Sequence, residues 1–517
     1  MIMLTDSLSL FSLRPSNGMS VWQALPRLRM AVLVLCLLAG CSMAPRLEAP
    51  EATTSLPDRF EHATEAAVAS QHHWWRTFRD PVLDQLVDTA LVRNLDLRVA
   101  VARVDELQSQ YRIARAEQLP QLQLNAGRDE QDTPANVGLG GEIGDADNIP
   151  EGFLPDRFAF TTYTASLGFS YEIDFWGRVR GAKQAALREF FASQADMRTA
   201  TIGVISETIV TYFEITARER TLALTRESIN LLAERYALTV ERYERGLVSS
   251  HERYGVEQQY EETQAGLPVL ESQLQEAHGR LGILLGRYGS PLDSVRAPAV
   301  NIQPDPVPAG LPSDLLRERP DVLAAFDRLE AARERIGVAR AARFPSFSLT
   351  AAGGVQSSTL SDLVKTTQNF WLFGGGLTAP IFNAGAIGAN IRASWARYVQ
   401  QAAAAEKTLL TAFKEVESAL IAYDKHAEQF RFLEASLQAA RDNADAQERR
   451  YARGLGDYMA MLDARRNAIR SEIALTTSWR ALVTTRVAVH RALGGAWLSS
   501  MSEIADAGSR ESALQEP

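Results

Sequence analysis

The sequence contains one order of landmarks twice, and this duplication limits the folds that it can adopt. Residues 114–120 (ARAEQLP) match 339–345 (ARAARFP) at an offset of 225, and 242–247 (RYERGL) match 450–455 (RYARGL) at an offset of 208. Each copy reads as a short helical stretch, two alternating segments, a very long helical stretch, a turn and a second helix. We assign the shortening of the second copy to the loop between its alternating segments.

These landmarks divide the chain. The first repeat is predicted over 83–290 and the second over 313–497, each with short helices, two strands and a long helical hairpin. Residues 291–312 contain six prolines and are predicted to form an extended linker. A C-terminal tail, 498–517, completes the division.

The N-terminus has the pattern of a lipoprotein signal peptide, predicted over 1–40. Two arginines precede the apolar run 30–38, which ends in Leu-Ala-Gly before Cys41. Small residues before a cysteine look like a bacterial lipobox, so Cys41 is predicted to carry a covalent lipid and to begin an extended anchored segment, 41–82. Ser42 fits sorting to the outer membrane. The alternative is an ordinary signal peptide with an incidental cysteine.

The alternating segments suit membrane strands. Residues 163–174 place apolar side chains on one face and polar ones on the other, as lipid outside and water inside would require. Residues 121–126 and 347–351 alternate in the same way, and a glycine-rich partner lies near 370–382. The alternative is a soluble sheet with one buried face.

Four strands are too few to close a barrel, since about eight are usually needed. Open edges are not tolerated in lipid, so several chains must pool their strands if these segments span the membrane. Phe175, Trp176 and Trp371 fall near strand ends and are predicted to lie at the membrane interface.

The helical stretches at 177–245 and 385–451 are too long for an ordinary globular domain. Nearly seventy residues of helix would reach roughly 100 Å. Apolar residues step by three and four along them, which favours coiled-coil packing. Neither stretch contains an apolar run of about 18 residues, so both are predicted to stand in water.

Composition and motifs argue against several classes of protein. The net charge of −9 gives no support to nucleic-acid binding. The seven histidines form no His-x-x-x-His pair, and no nucleophile elbow or phosphate loop occurs, so neither an enzyme nor a metal site is predicted. The cluster at 72–75 (HHWW) is predicted to pack on helices rather than to bind metal.

Four motifs appear in order along the chain: 171–178 (YEIDFWGR), 319–322 (RPDV), 336–345 (IGVARAARFP) and 462–464 (LDA). Together with the duplication, they resemble the TolC-type outer-membrane efflux proteins, in the OprM-like, NodT-type lipoprotein branch. The resemblance covers nearly the whole mature chain, from Cys41 to about Trp497.

The resemblance implies a mainly α fold with membrane β, in which a homotrimer pools twelve strands into an outer-membrane β-barrel continuous with a periplasmic α-barrel. It implies a lipid-anchored, passive channel of a Gram-negative bacterium that contacts outer-membrane lipid. Small molecules would pass through it from an inner-membrane efflux pump and a periplasmic adaptor (membrane fusion) protein. The alternatives are a metal-ion or protein export duct of the same architecture and a lipid-anchored coiled-coil protein without a pore. The substrate is not readable from the sequence.

The resemblance also implies a periplasmic gate at the helical turns. Asp463 matches an aspartate that rings the constricted entrance, and three copies would make an acidic ring. Met459 matches an apolar constricting residue, and Tyr451 matches a tyrosine that ties neighbouring hairpins, with Glu252 as its expected acidic partner. Asp463 could instead be a solvated helix residue, and Met459 a core residue. Gly456 departs from relatives that carry a charged residue there.

Overall fold

The computed structural model describes residues 43–45, 73–134, 157–288 and 319–494. The predicted signal peptide 1–40, Cys41, the linker 291–312 and the tail 498–517 lie outside the described residues, as does much of 41–82.

The elements follow the same order twice, apart from one helix at the start of the first set whose counterpart positions lie outside the described residues. A short 3-10 helix, Trp74–Phe78, precedes the first set. The first set is α1 (Pro81–Arg93), α2 (Leu95–Ala116), β1 (Gln121–Pro134), β2 (Arg157–Ile173), α3 (Arg178–Glu244) and α4 (Ser250–Leu284). The second set is α5 (Pro320–Ala341), β3 (Ser346–Ser357), β4 (Asn369–Thr378), α6 (Ala386–Ala452) and α7 (Tyr458–Ala492), with short 3-10 helices at Leu360–Asp362 and Thr366–Gln368.

The repeated helices have equal lengths. Helices α3 and α6 each contain 67 residues, and α4 and α7 each contain 35. Helices α2 and α5 each contain 22. The offset of 225 therefore relates α2 to α5, and the offset of 208 relates α3 and α4 to α6 and α7. Any residue in one copy can be compared with its counterpart by these two offsets.

The four strands form one antiparallel sheet in the order β1-β2-β3-β4. The two copies join where β2 pairs with β3, with Phe169 opposite Ala351. The strands of the first copy have 14 and 17 residues and those of the second have 12 and 10, so the strands differ as well as the loop. Within the described residues, β1 and β4 each pair on one side only.

The chain folds as two compact units, and each unit takes segments from both copies. One unit contains the sheet within Ala114–Lys183 and Glu334–Ser394. The other contains most of the helices, and its described residues are 73–113, 184–288, 319–333 and 395–494. No helix in the described part of the chain is both long and apolar enough to cross a membrane.

The core of the helical unit contains a group of aromatic rings among aliphatic side chains. Trp74 and Trp75 are buried in it, as the packing prediction for the HHWW cluster requires, and Trp479 meets Phe213 edge-on with 5.5 Å between ring centroids. His72 lies outside the described residues. Trp74 stacks on His490 at 4.6 Å. The aromatic rings thus attach the segment before α1 to α7.

A half-buried carboxylate, that of Asp80, fixes the start of α1 to helix α3. Asp80 Oδ1 accepts hydrogen bonds from the backbone of Val82 and Leu83, at 3.0 and 3.3 Å, and so caps α1. Its other oxygen accepts from the Tyr212 hydroxyl at 2.8 Å. Burial, and then this bond, raise the pKa of Tyr212, which therefore stays a donor.

Helices α2 and α5 are counterparts, and in each copy the residue that precedes this helix donates a hydrogen bond to the end of the last helix. Asn94 Nδ2 donates to the Leu284 carbonyl, and Arg319 Nη1 donates to the Ala492 carbonyl, both at 2.9 Å. Each accepting carbonyl lies at the end of the last helix of its own copy, where helical carbonyls lack intrahelical partners. The link therefore closes each copy on itself through different side chains.

Arg319→Met is expected to lower the free energy of unfolding by about 2–4 kcal/mol, because it leaves a buried carbonyl without its donor and two partly exposed carboxylates without their cation. Arg319 is 7% exposed and also pairs with Asp321 and Glu415, at 2.6 and 2.8 Å. Thermal unfolding of the purified protein measures the change. Lys425→Met removes an exposed pair with Glu428 and is the control, expected to cost under about 0.5 kcal/mol. Equal effects of the two variants would contradict the role of Arg319.

His490→Phe is expected to remove part of the acid sensitivity of folding. Burial, and then the charge of Arg486, lower the pKa of His490 to about 4 from 6.5. The unfolded chain therefore binds a proton that the folded chain rejects as the pH falls from 6.5 to 4, so stability falls in this window by up to about 3 kcal/mol. Melting temperatures of both proteins across this range test it, and parallel pH profiles would refute it. Phenylalanine keeps the stack on Trp74.

Candidate functional site at the hairpin turns

The two hairpin turns have one backbone geometry. Gly246 and Gly454 follow the long helices with φ of +69° and +70°, a conformation that favours glycine. In each turn the glycine amide donates to a tyrosine carbonyl, and the next leucine amide donates to an arginine carbonyl at 2.9 Å. These are the paired bonds of a glycine-ended helix. The repeated RYxRGL sequence thus specifies both turns.

Asp463, on the second turn of α7, is paired with Arg235 of α3. The Arg235 guanidinium donates to Asp463 Oδ1, and Arg466 Nη1 lies 3.7 Å from the same oxygen. The Asp463 side chain is 43% exposed, whereas that of Arg235 is 19% exposed. The predicted gate aspartate is therefore held by two arginines within its own chain.

Arg466 would be unfavourably placed without the Asp463 carboxylate. Burial, and then the charge of Arg235, lower the pKa of Arg466. Arg466 Nη1 also donates to Gln259 Oε1 on α4, at 3.2 Å. Asp463 thus joins α7 to α3, and Arg466 joins α7 to α4.

Tyr451 lies beside a contact that the sequence analysis missed. Its ring contacts that of Tyr458 at 4.9 Å, and the Tyr458 hydroxyl donates to Glu234 of α3. This bond raises the pKa of Tyr458. Within the described residues, Tyr451 and Glu252 make no hydrogen bond to each other. Their predicted tie stays a prediction.

Met459 belongs to a small apolar cluster between α7 and α3. It is 9% exposed and is grouped with Met461 and Leu462, against Leu231 and Leu238. Within one chain, Met459 is therefore a core residue, which was the alternative interpretation of this position. Its role as a constricting residue stays a prediction.

The first turn of α4 places Glu252 at the helix start. Its amide donates to Ser249 Oγ at 3.3 Å, so Ser249 caps α4, and the carboxylate lies in the first turn of the helix. The second hairpin has no such bond at its own cap residue, Asp457. A Cβ atom at Gly456 would approach the Tyr451 amide nitrogen to 3.0 Å, so the turn disfavours a larger residue there.

A third link between the hairpins lies further from the turns. Glu472 of α7 accepts from Arg220 of α3 and from Arg441 of α6, the latter at 2.8 Å. Burial alone would raise the pKa of Glu472, but these two bonds lower it. The long separation in sequence between these residues left no local signal for the link.

The contacts of the second hairpin turn are not repeated in the first. At the counterparts of Glu234, Arg235, Tyr458 and Asp463 stand Asp442, Asn443, Ser250 and Gly255. The equivalent positions of α6 and α4 therefore have neither the ion pair nor the tyrosine. The duplicated hairpins differ in side chains where they agree in backbone.

The predicted interfacial aromatics occupy two settings. Trp176 is half-buried at the junction of β2 and α3, where Nε1 donates to the Pro345 carbonyl at 2.8 Å and the ring stacks on Phe344. Phe175 lies beside it at 5.2 Å. Trp371, on β4, is 83% exposed. The junction also explains the YEIDFWGR motif, because Asp174 caps α3 through the Arg180 amide at 2.8 Å.

Among the described residues, no group of three or more histidine, cysteine, aspartate or glutamate side chains could hold a metal ion. At the second turn, Asp463 is paired with Arg235. The chemistry of this site is thus that of ion pairs joining helices.

Comparison with known proteins confirms the resemblance. The profile of the "Outer membrane efflux protein" family matches residues 86–287 and 311–495. The antibiotic efflux pump outer membrane protein ArpC of Pseudomonas putida is 36% identical over 476 residues, which cover 89% of this chain and 94% of ArpC. The cation efflux system protein CusC of Escherichia coli is 31% identical over 473 residues, covering 89% and 96%.

A solved structure has the same fold. The CmeC outer membrane channel of Campylobacter jejuni superposes with a TM-score of 0.77 at 26% identity, over 90% of this chain and 98% of CmeC. The chain therefore belongs to the outer membrane efflux protein family.

Proposed function

We propose that this chain is the outer-membrane channel of a tripartite efflux system and passively conducts small molecules to the exterior. The observation that carries the proposal is the joining of one sheet, whose two edges are unpaired within the described residues, to two long hairpins of equal length. A sheet of this kind suits a shared membrane barrel. The relatives named above are efflux channel proteins, and no catalytic role is assigned to this chain.

The proposed assembly is a homotrimer. Three copies of the four-stranded sheet would give twelve strands, above the minimum of about eight for a closed barrel. Pairing β4 of one copy with β1 of the next would satisfy the free edge of each sheet. The hairpins of the three chains would line a helical duct in the periplasm.

The proposed partners are a periplasmic adaptor protein, an inner-membrane pump and outer-membrane lipid. The hairpin turns present Leu247 and Leu455, which are 66% and 69% exposed, and these apolar residues suit a docking partner. The pump would supply the energy. The covalent lipid on Cys41 is proposed from the lipobox alone, and its loss in Cys41→Ser, followed by lipid labelling, tests it.

The proposed gate uses the contacts of the second hairpin turn. Asp463, with Arg235 and Arg466, would hold the second hairpin against the first, and Tyr458 would hold it through Glu234. Tyr451, Met459 and Glu252 are proposed to complete the closed entrance. Releasing Asp463 from Arg235 would let it contribute to an acidic, cation-favouring ring.

Two relatives with similar sequence identity to this chain have names that state different substrates, an antibiotic for ArpC and a cation for CusC. The substrate of this chain is therefore expected to follow from its pump rather than from the channel.

Expression of the chain with its own adaptor and pump is expected to restore efflux in a Gram-negative host that lacks its outer-membrane channel. Intracellular accumulation of a fluorescent pump substrate should fall, because the duct completes the path to the exterior. The same strain without the pump is the control and should not respond. Unchanged accumulation, with the chain present in the outer membrane, would refute the proposed function.

Asp463→Ala is expected to raise single-channel conductance in planar bilayers, because it leaves Arg235 and Arg466 without their shared anion and frees the hairpin. Removing the carboxylate should also reduce preference for cations. Asp445→Ala, at an exposed position of α6, is the control and should conduct as the unaltered channel does.

An exchange of the two charges sharpens this test. Asp463→Arg and Arg235→Asp should each open the channel, and the double variant should return it towards low conductance, since the pair is restored in reverse. A double variant as conductive as the singles would contradict a closing role for the pair.

A further inference from the structure

Helix α5 contains an interior glycine that the helix itself does not require. Gly337 lies one turn before the end of α5 and is buried. A glycine inside a helix is less favourable than alanine by about 1 kcal/mol. Its counterpart in α2, at the offset of 225, is the exposed residue Arg112. The repeated helix therefore accepts a long side chain at this position, and the glycine must have another cause.

The cause lies in a short segment near the N-terminus. Residues 43–45 are half-buried and belong to the same compact unit as Gly337. A Cβ atom at Gly337 would come within 2.7 Å of the Ala44 nitrogen, 2.9 Å of its Cα and 3.2 Å of its Cβ. Carbon atoms in contact prefer separations of about 3.5–4.0 Å, so a side chain at Gly337 would collide with the backbone of Ala44.

Helix α5 is not free to move away from this segment. A Cβ atom at Gly181 of α3 would come within 3.0 Å of Val338 Cγ2 and 3.6 Å of the Glu334 carbonyl oxygen, so α3 approaches α5 closely beside Gly337. A larger residue at Gly337 would therefore displace the N-terminal segment rather than the helix.

The contact lies near the junction of the sheet with the helices. Phe344, two turns further along the chain than Gly337, stacks on Trp176 with 4.5 Å between ring centroids. Ala44 follows the predicted lipid-bearing Cys41 by three residues. Three residues of extended chain reach about 10 Å at most. A fixed Ala44 thus restricts the lipid anchor to the neighbourhood of this junction.

We propose that Gly337 forms a docking site for the chain's own N-terminal segment. The missing side chain lets residues 43–45 lie against α5, and this contact holds the anchor in one place on the protein. A lipid alone would keep the chain at the membrane but would let its body pivot about the N-terminus. The chain has one N-terminus, and the repeat accordingly has the glycine in α5 and an arginine in α2.

Limited trypsin digestion in detergent solution tests the docking site. Trypsin cleaves after Arg46 only when the residues before it are extended and accessible, and 43–45 are among these residues. Gly337→Gln has nearly the length of Arg112 and adds no trypsin site. It should raise the rate at which the fragment beginning at Leu47 appears by about tenfold or more, because the segment is released. An unchanged rate would overturn the proposal.

The matched control is another glycine within a helix. Gly279 of α4 is exposed, and a Cβ atom there would have no other atom within 4 Å. Gly279→Gln should leave cleavage after Arg46 at the rate of the unaltered protein. Faster cleavage in this variant as well would show that the effect is general to helix substitutions and would count against a specific docking site.

A second comparison separates the docking site from the lipid. Cys41→Ser removes the predicted lipid and leaves Gly337 in place. Cleavage after Arg46 should remain slow in this variant and become fast when Gly337→Gln is added. Fast cleavage in Cys41→Ser alone would show that the lipid, and not the glycine, positions the segment, and would reject the proposal.

A smaller substitution guards against a folding defect. Gly337→Ala favours the helix but still brings a Cβ atom against Ala44, so its cleavage rate should lie between those of glycine and glutamine. Circular dichroism and the melting temperature should show that both variants keep their helices. Fast cleavage accompanied by loss of helix in both variants would refute local release of the segment.

The inference goes beyond the proposed channel, and the two can fail separately. Release of the segment in Gly337→Gln with normal single-channel conductance would support both. Unchanged cleavage with normal conductance would reject the docking site and leave the channel in place.

Discussion

The unpaired edges of the four-stranded sheet are the constraint on which the rest of the structure depends. Within the described residues, the outer sides of β1 and β4 carry backbone donors and acceptors without partners. In hydrocarbon each such group costs several kcal/mol, so a membrane sheet must continue into another strand. One chain has no further strand to offer among its described residues. Pooling of strands from several chains, as in the proposed assembly, would meet this requirement for backbone hydrogen bonds.

Duplication places similar backbones in two different environments, and the side chains have diverged accordingly. Both copies keep a hydrogen bond from the residue before α2 or α5 to the end of their last helix, although Asn94 donates it in one copy and Arg319 in the other. Arg188 of α3 and Asp327 of α5 form an ion pair, whereas alanines, Ala396 and Ala102, stand at their counterpart positions. Arg235 and Asp463 have no counterparts in the other hairpin turn. The backbone is therefore similar in the two copies, and the side chains differ according to the contacts that each copy makes.

Local pattern predicted the fold well, because helix periodicity and turn glycines are local signals. Both long helices end within a residue or two of their predicted bounds. Strand β1 extends past the predicted 121–126, since its charged continuation around Asp129 lacks alternation and is held only by pairing with β2. The pairing of Asp463 with Arg235 joins residues that are 228 positions apart, which no local pattern encodes. The sequence around Met459 likewise does not distinguish a core residue from one that narrows the channel entrance.

The equal lengths of the repeated helices limit how this chain can evolve. One residue inserted into α3 alone would advance its end by about 1.5 Å and rotate everything beyond it by about 100°. Arg235 would then leave Asp463, and Glu234 would leave Tyr458. Insertions and deletions in these helices therefore have to be matched in both copies if these contacts are to be kept. The hairpins can change in composition far more readily than in residue number.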